Sequence, residues 1–451
     1  MKVESVRGMR DILPEETPFW QRVEAEIRAA FALYGYREIR PPLVELAALF
    51  SRGVGETTDV VHKEMYVFPD KKGLELALRP EATASVVRAY VEHGLYAKGD
   101  LAKLYYIGPM FRYEKPQKGR QRQFHQYGVE ALGSLDPALD AEVIDLASFL
   151  MERLGLRREG LFLRLNSIGC ARDRVGYREA LRQHFLPRAS ELCADCQRRL
   201  AENPMRILDC KQPQCQPAIR SAPKSVDHLC DACRHHFQQV REHLDALALR
   251  YELDHTLVRG FDYYTRTVFE LCSRELGAQD ALLGGGRYDD LVELLGGPAT
   301  PGVGFAGGME RLVLVLQAQR GEEKDATPEL ACCVVPIGDE AQRKAIELLA
   351  QLRRAGVSAD MEYMGRSLRK AMQVAGRRAR YALIVGPEEL EQGQAKVKDL
   401  TTGEQRLLEL QEFSAAPEVL RRRFSSDAPA RGDVGFGVGD EPRERRAQGP
   451  T

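Results

Sequence analysis

Four short stretches of this chain hold residue types suited to chemistry on a charged substrate. Arg112 follows the strand-like run Leu104–Met110, and the forked donors of its guanidinium match phosphate oxygens. In Leu78-Arg-Pro-Glu-Ala-Thr-Ala the carboxylate of Glu81 and the hydroxyl of Thr83 stand two residues apart, so an extended turn can aim both at an ammonium group. In Leu257-Val-Arg-Gly-Phe-Asp-Tyr-Tyr-Thr-Arg-Thr-Val-Phe-Glu the tyrosines 263 and 264 are adjacent. In a strand they face opposite sides, one toward the core and one toward a pocket. The fourth stretch, Gly284-Gly-Gly-Arg-Tyr-Asp-Asp, is followed by Gly302-Val-Gly-Phe-Ala-Gly-Gly-Met-Glu-Arg. Its triple glycine lets backbone approach backbone or ligand closely. It lacks the Lys-Ser/Thr ending of a P-loop and the strand-to-helix turn of a dinucleotide fingerprint. Each stretch alone also has a plain structural reading: a surface ion pair, a Pro-Glu helix start, an amphipathic strand, a Gly-rich bend.

Cysteine supplies a fifth pattern. Six of the ten fall between Cys193 and Cys233, including two Cys-x-x-Cys knuckles, Cys193/Cys196 and Cys230/Cys233, with Cys210 and Cys215 between them. Paired knuckles favour a tetrahedral zinc, each giving two thiolates at short reach, and a metal helps a small unit fold. Buried thiols acting as small apolar side chains are the alternative.

The elements that must position these residues are partly legible. Trp20, Val23, Ile27, Phe31 and Tyr34 form one stripe at spacings of three and four, which predicts a helix over 17–34 capped by Gly35. Pro41–Pro42 cannot lie inside a helix. A second strand is expected at Phe124–Glu130, after a basic loop with Lys115, Lys118, Arg120 and Arg122 against one acid. Residues 170–240, rich in Cys, Arg, Gln and Pro, read as a small inserted unit. Strand texture resumes at 251–272, and an apolar helix follows from Met309 to Leu316. Residues 329–420 alternate strand and helix: Ala331–Pro336, 339–354, 357–361, Leu383–Val385. That order predicts a small α/β unit on a mostly parallel sheet. From about Ser425 the composition is Gly, Pro, Arg and Asp with little apolar content, which predicts disorder.

Composition bounds the rest. The 451 residues allow two to four domains. Lys plus Arg (65) nearly balance Asp plus Glu (66), so any surface for nucleic-acid phosphates must be local. No apolar run reaches the roughly 18 residues of a spanning helix, and no signal peptide is evident. A cytoplasmic protein with no membrane partner is expected.

In this order and spacing, the four stretches resemble histidyl-tRNA synthetase, a class II aminoacyl-tRNA synthetase, over nearly the whole chain up to about residue 420. Pro42 stands where that family has a dimer-interface proline. The run around Arg112 looks like the second class motif and Gly-Met-Glu-Arg, ending at Arg311, like the third. The segments 259–270 and 285–289 look like marks of the histidine enzymes. The resemblance implies an α+β catalytic domain on an antiparallel sheet, split between 1–169 and 246–322. It implies an inserted domain at 170–245, a C-terminal α/β anticodon-binding domain at 328–420 and a tail at 425–451. Implied partners are L-histidine, ATP with Mg2+, the tRNA for histidine and a second copy of the chain.

The roles carried over are specific. Arg112, Arg259 and Arg311 are the catalytic cations, Arg112 on the α-phosphate and Arg259 opposite it in the place of a metal ion. Arg311, Glu114 and Phe124 join Arg112 around ATP. Glu81, Thr83 and Gln126 take the α-ammonium, with Ala82 in the same turn. Glu130 and Tyr264 take the imidazole nitrogens, beside Tyr263. Two rivals remain: a catalytically silent regulatory subunit of a histidine-biosynthetic transferase, which would lack the anticodon domain, and a class II ligase for another amino acid.

Overall fold

The strand-like runs Leu104–Met110 and Phe124–Glu130 lie inside longer strands, Ala102–Phe111 and Gln123–Leu132, which pair antiparallel over all ten residues. The computed structural model that shows this describes residues 3–55, 58–99, 101–117, 119–274, 280–320, 330–414 and 417–424. The tail expected to be disordered, 425–451, lies outside the described residues, as does Lys118. The described residues form two compact units, one built within 20–320 with 3–12, the other within 330–424 with 13–19.

In the first unit the strands are β1 (Arg37–Glu38), β2 (Val44–Leu46), β3 (Tyr66–Pro69), β4 (Glu75–Leu78), β5 (Ala102–Phe111), β6 (Gln123–Leu132), β7 (Leu161–Ser167), β8 (Tyr251–Leu253), β9 (Thr265–Ser273), β10 (Ala281–Arg287) and β11 (Gly302–Gly308). Eight form one sheet in the order β1-β5-β6-β11-β10-β9-β7-β8. The six central strands run antiparallel, and each outermost strand lies parallel to its neighbour. Strands β2, β4 and β3 make a separate small sheet.

The first helix, Thr17–Leu33, turns Trp20, Val23, Ile27 and Phe31 inward, each at most 4% exposed. Phe31 meets Tyr105 on β5 and Phe305 on β11, ring centroids 5.3 and 6.1 Å apart. Gly35 follows at φ +79°, a left-handed stop that costs glycine little. Helix Pro137–Arg153 starts with Asp136 accepting from the amide of Ala138 at 2.9 Å and proline at its first position. Because β6 is buried almost throughout, its two faces serve different ends: a helix-packed core and a polar pocket.

Between β7 and β8 the chain is helical, with Ala171–Phe185, Ala194–Glu202, Gln216–Arg220 and Asp231–Ala246 as its α-helices. Arg206 donates to the carbonyl of Gly260 at 2.5 Å, and Asn203 to Asp262 at 3.1 Å. Arg174 donates to the carbonyls of Asp262 and Tyr264 at 3.0 and 2.9 Å. The segment 260–264 is thus held from this helical region.

The second unit carries β12 (Leu330–Pro336), β13 (Ala359–Met361), β14 (Ala379–Val385), β15 (Gln394–Asp399) and β16 (Gln405–Glu409), in the order β13-β12-β14-β15-β16. Its first three strands are parallel, but β15 and β16 are antiparallel, where a mostly parallel sheet was expected. From β15 to β16 the reversal is made by a short turn. Asp399 accepts from the amides of Thr401 and Thr402 at 2.8 and 3.1 Å, and Gly403 has φ +81°. Such a turn reverses the chain without the crossover that a parallel partner needs.

Candidate active site

Glu130, near the end of β6, is 1% exposed and both its oxygens are engaged. One accepts from the hydroxyl of Thr83 at 2.7 Å, the other from the hydroxyl of Tyr288. Burial pushes its carboxyl up to about 8, against the pull of those two donors. Around it stand Tyr263, Tyr264 and Tyr288, with the Tyr263 ring 4.6 Å from that of Tyr264 and 5.7 Å from that of Tyr288. Burial pushes all three phenols up as well, so each stays an O–H donor. Sequence reasoning missed Tyr288. Its signal lay inside Gly284-Gly-Gly-Arg-Tyr-Asp-Asp, where the ladder to β9 jumps from Gly286–Val268 to Arg287–Thr265. The irregularity re-aims the side chains at the strand's end: Arg287 meets Asp140 of helix Pro137–Arg153, while Tyr288 turns to Glu130.

Glu81 is also buried, and its two oxygens accept from the amides of Thr83 and Ala84 at 2.7 and 2.9 Å. It therefore caps the helix Thr83–Glu92, keeping further lone pairs for a ligand. The Ala82 methyl packs with Val86, Tyr106 and Met110, so only its backbone is left for recognition. Gln126 is 9% exposed and, among the described residues, its Oε1 meets no donor. A buried acceptor left so is costly unless a ligand satisfies it.

A cationic rim adjoins this pocket. The Arg112 guanidinium lies over Phe124 and Phe261, 5.1 and 5.7 Å from their ring centroids, and donates to the carbonyl of Pro80 at 2.9 Å. Arg311 donates to the carbonyl of Ala281 at 2.9 Å. Burial pulls Arg311 down, and the like charges of Arg120 and Arg112 add to that pull, so three cations converge. Glu114 pairs with Arg120 at 3.1 Å. Arg122 stacks over Tyr113 at 3.9 Å, and the base of the loop closes through the Arg112 amide and the Arg122 carbonyl at 2.8 Å. Glu310 receives the amide of His125 at 3.0 Å and fixes the start of β6; it too was missed.

Arg259 lies 5.8 Å from the Tyr264 ring centroid and is ion-paired with Glu270 on β9. The guanidinium lies so close to Gly284 that a Cβ there would collide with it. Gly304 is under the same constraint, since a side chain would strike the Glu130 carboxylate. The triple-glycine stretch and its partner strand thus make room for the charged groups of the site.

The cysteines require a correction. Cys193 and Cys196 do not share a site with Cys230 and Cys233. The first pair gathers with Cys210 and Cys215, the second with Cys170 and Asp173, each group with its ligand atoms within 4.8 Å of one another. The reason is that each knuckle starts a different helix, Ala194–Glu202 or Asp231–Ala246, and each helix start faces other neighbours.

These features coincide with what known proteins share. A family model for histidyl-tRNA synthetase matches residues 8–312, and one for an anticodon binding domain matches 331–418. A histidine–tRNA ligase of Desulforudis audaxviator is 52% identical over 423 residues, 94% of this chain and 99% of that one. One of Halothermothrix orenii is 50% identical over 406 residues, 90% and 96% of the two chains. The apo histidyl-tRNA synthetase of S. aureus superposes with a TM-score of 0.76 at 38% identity, covering 94% of this chain and 100% of that one. The silent-subunit reading called for a missing anticodon domain, which the match at 331–418 overturns. With an acid-and-phenol pocket beside an arginine rim, and such matches along nearly its whole length, this chain belongs to the histidyl-tRNA synthetase family of class II ligases.

Proposed function

We propose that the residues above divide the work of charging tRNA with histidine in two steps. The histidine carboxylate attacks the α-phosphorus of ATP in line, forming histidyl-adenylate and releasing pyrophosphate. Transfer to the 3′ end of tRNA comes second. ATP enters as its magnesium complex. Arg112 holds the α-phosphate and the attacking carboxylate together, while Arg259 approaches from the other side. Both put positive charge where the transition state gathers negative charge, the main source of acceleration in phosphoryl chemistry. Arg311 stacks on the adenine and reaches the γ-phosphate, and Glu114 and Phe124 frame the base.

Glu81, Thr83 and Gln126 receive the α-ammonium; the unmet Oε1 of Gln126 supports this. Glu130 and Tyr264 take the two imidazole nitrogens, with Tyr263 alongside. A neutral imidazole has one donor and one acceptor, and an acid and a phenol match them. Other amino acids leave these buried groups unpaired, a penalty of roughly 10⁴-fold or more, so no editing site is needed. The observation that carries this reading is the buried Glu130 carboxyl, held between Thr83 and Tyr288.

The loop 115–122 meets the acceptor end of tRNA, and residues 328–420 bind its anticodon arm. Residues 1–169 and 246–322 act as the catalytic domain and 170–245 as its insert. The chain works as a homodimer through the face near Pro42, where Leu43, Val44, Leu46, Val67, Phe68 and Leu74 are all exposed. It acts in the cytoplasm, a reducing compartment that suits its free thiols.

Arg259→Ala tests the metal-like role. Adenylate formation in a single turnover should fall at least about 10³-fold, with the circular dichroism of the folded protein unchanged. Near-normal activation of histidine by that variant would refute the role.

A further inference from the structure

The two sulfur-rich groups of the helical region have a common construction. Cys170 precedes helix Ala171–Phe185 with Asp173 in its first turn. Cys193 precedes Ala194–Glu202 with Cys196 in its first turn, and Cys230 precedes Asp231–Ala246 with Cys233 in its first turn. Each is a cap residue with a second ligand three positions on, so both side chains reach back over the same helix N-terminus, where the dipole favours a thiolate or carboxylate. One group is completed by Cys210 and Cys215 from the irregular stretch after Ala194–Glu202. The other is completed by two such helix starts facing each other.

The distances suit one ion per group. Zinc–sulfur bonds of about 2.3 Å put the thiolates of a tetrahedron about 3.8 Å apart. The Cys193 and Cys210 sulfurs are 3.8 Å apart, and all four sulfurs of that group lie within 4.8 Å of one another. A disulfide joins two sulfurs at about 2.05 Å and has no use for two more at the same spot. Backbone amides also point at the sulfurs: that of Cys193 at Cys215 at 3.2 Å, and that of Gln212 at Cys210 at 3.4 Å. Such donors orient thiolates around a metal. Cys196 and Cys215 are 0% exposed and Cys233 1%, while Cys170, Cys193 and Cys230 are half-buried, so each group is sheltered on its inner side. In the second group, Asp173 accepts from the Cys170 amide at 3.3 Å and keeps lone pairs for a cation.

We propose that this chain binds two structural zinc ions, one on Cys193, Cys196, Cys210 and Cys215, the other on Cys170, Asp173, Cys230 and Cys233. Both sites are closed, with four protein ligands and no place for substrate. Their task is mechanical. The first ion ties helix Ala194–Glu202 to the stretch after it, and this same region supplies Asn203 and Arg206 to Asp262 and Gly260. The second fastens helix Ala171–Phe185, whose Arg174 holds the carbonyls of Asp262 and Tyr264. The ions brace the segment that carries Arg259, Tyr263 and Tyr264.

The test is the metal content of the full-length protein purified without oxygen, measured by plasma mass spectrometry. Two zinc ions per chain are expected, with the seven cysteines of the two groups protected from a thiol reagent until the protein is unfolded. Cys210→Ser and Asp173→Asn should each retain one ion, and the double variant none. Cobalt exchanged into the wild-type protein should give the tetrahedral visible bands and thiolate charge-transfer absorption of both sites, a readout that needs no variant to fold. Zinc-free protein after reconstitution with zinc alone, or disulfides among these cysteines, would overturn the proposal. So would a Cys210→Ser protein that keeps both ions. Metal lost only in Cys210→Ser would eliminate the second site.

Discussion

A carboxyl group enclosed by phenols, as Glu130 is, has its proton held by the fold. Burial keeps it up at about 8 against an ordinary value of 4.5, so between those values the folded protein holds a proton that the unfolded chain has released. Its contribution to stability is therefore whole below about pH 4.5 and is lost as the pH rises through about 8. Glu130→Gln, neutral at every pH, removes that loss. Urea unfolding at about pH 6 and about pH 9 should show the wild-type protein losing more stability than the variant over the interval. Parallel pH profiles for the two would mean that Glu130 is not the group held high. The variant should also activate histidine poorly, since an amide has one acceptor oxygen and cannot receive Thr83 and Tyr288 on two sides. At this scale the sequence was informative about residue types and silent about partners. Glu81 and Thr83 were legible as a pair, but that Thr83 donates to Glu130, 47 positions away, comes from the packing of the start of helix Thr83–Glu92 against β6.

At the scale of elements, the buried cluster of Arg287, Asp140 and His236 joins β10 to two helices. Arg287 and Asp140 are both 0% exposed and 2.7 Å apart, with His236 at 3.2 Å from the same carboxylate. Arg287 also donates to the carbonyls of Ser134 and Asp136 at 3.0 and 3.1 Å, and Arg287 and His236 hold the Asp140 carboxyl below its usual range against its burial. Arg287→Leu leaves Asp140 charged and enclosed, and should destabilise the first unit by about 3–5 kcal/mol in urea unfolding. A loss below about 1 kcal/mol would show that the cluster relaxes. Helices were the readable elements: the stripe from Trp20 to Tyr34 predicts Thr17–Leu33 to within a residue at its end. The β15–β16 hairpin was not foreseen, although Ala395 and Val397 alternate with polar neighbours on β15; the further clue was the turn Asp399-Leu-Thr-Thr-Gly. The partition of the cysteines was not legible either. Spacing along the chain groups Cys193 with Cys196, yet only folding shows that Cys210, not Cys230, comes next to them.

Taken whole, the molecule has two units, each with its own core, and the anticodon-binding match falls in the second. Of the six cations in 366–380, Arg366 pairs with Glu362 at 2.8 Å and Arg378 with Asp360 at 2.6 Å. Arg369, Lys370 and Arg377 are exposed, and Arg369 and Arg377 line a shallow depression with Lys398. Exposed cations of this kind would position RNA through its phosphates rather than read its sequence. Arg369→Glu with Arg377→Glu should therefore raise the tRNA KM about tenfold or more, with a weaker salt dependence, while activation of histidine stays at the wild-type rate. A matching fall in both steps would assign those arginines to the fold. The most direct measurement of the central claim is ATP–pyrophosphate exchange by the purified protein, with histidine tested against each other amino acid. The acid-and-phenol pocket beside the arginine rim predicts exchange with histidine alone. Exchange with another amino acid at a comparable rate, or none with histidine from folded protein, would contradict it.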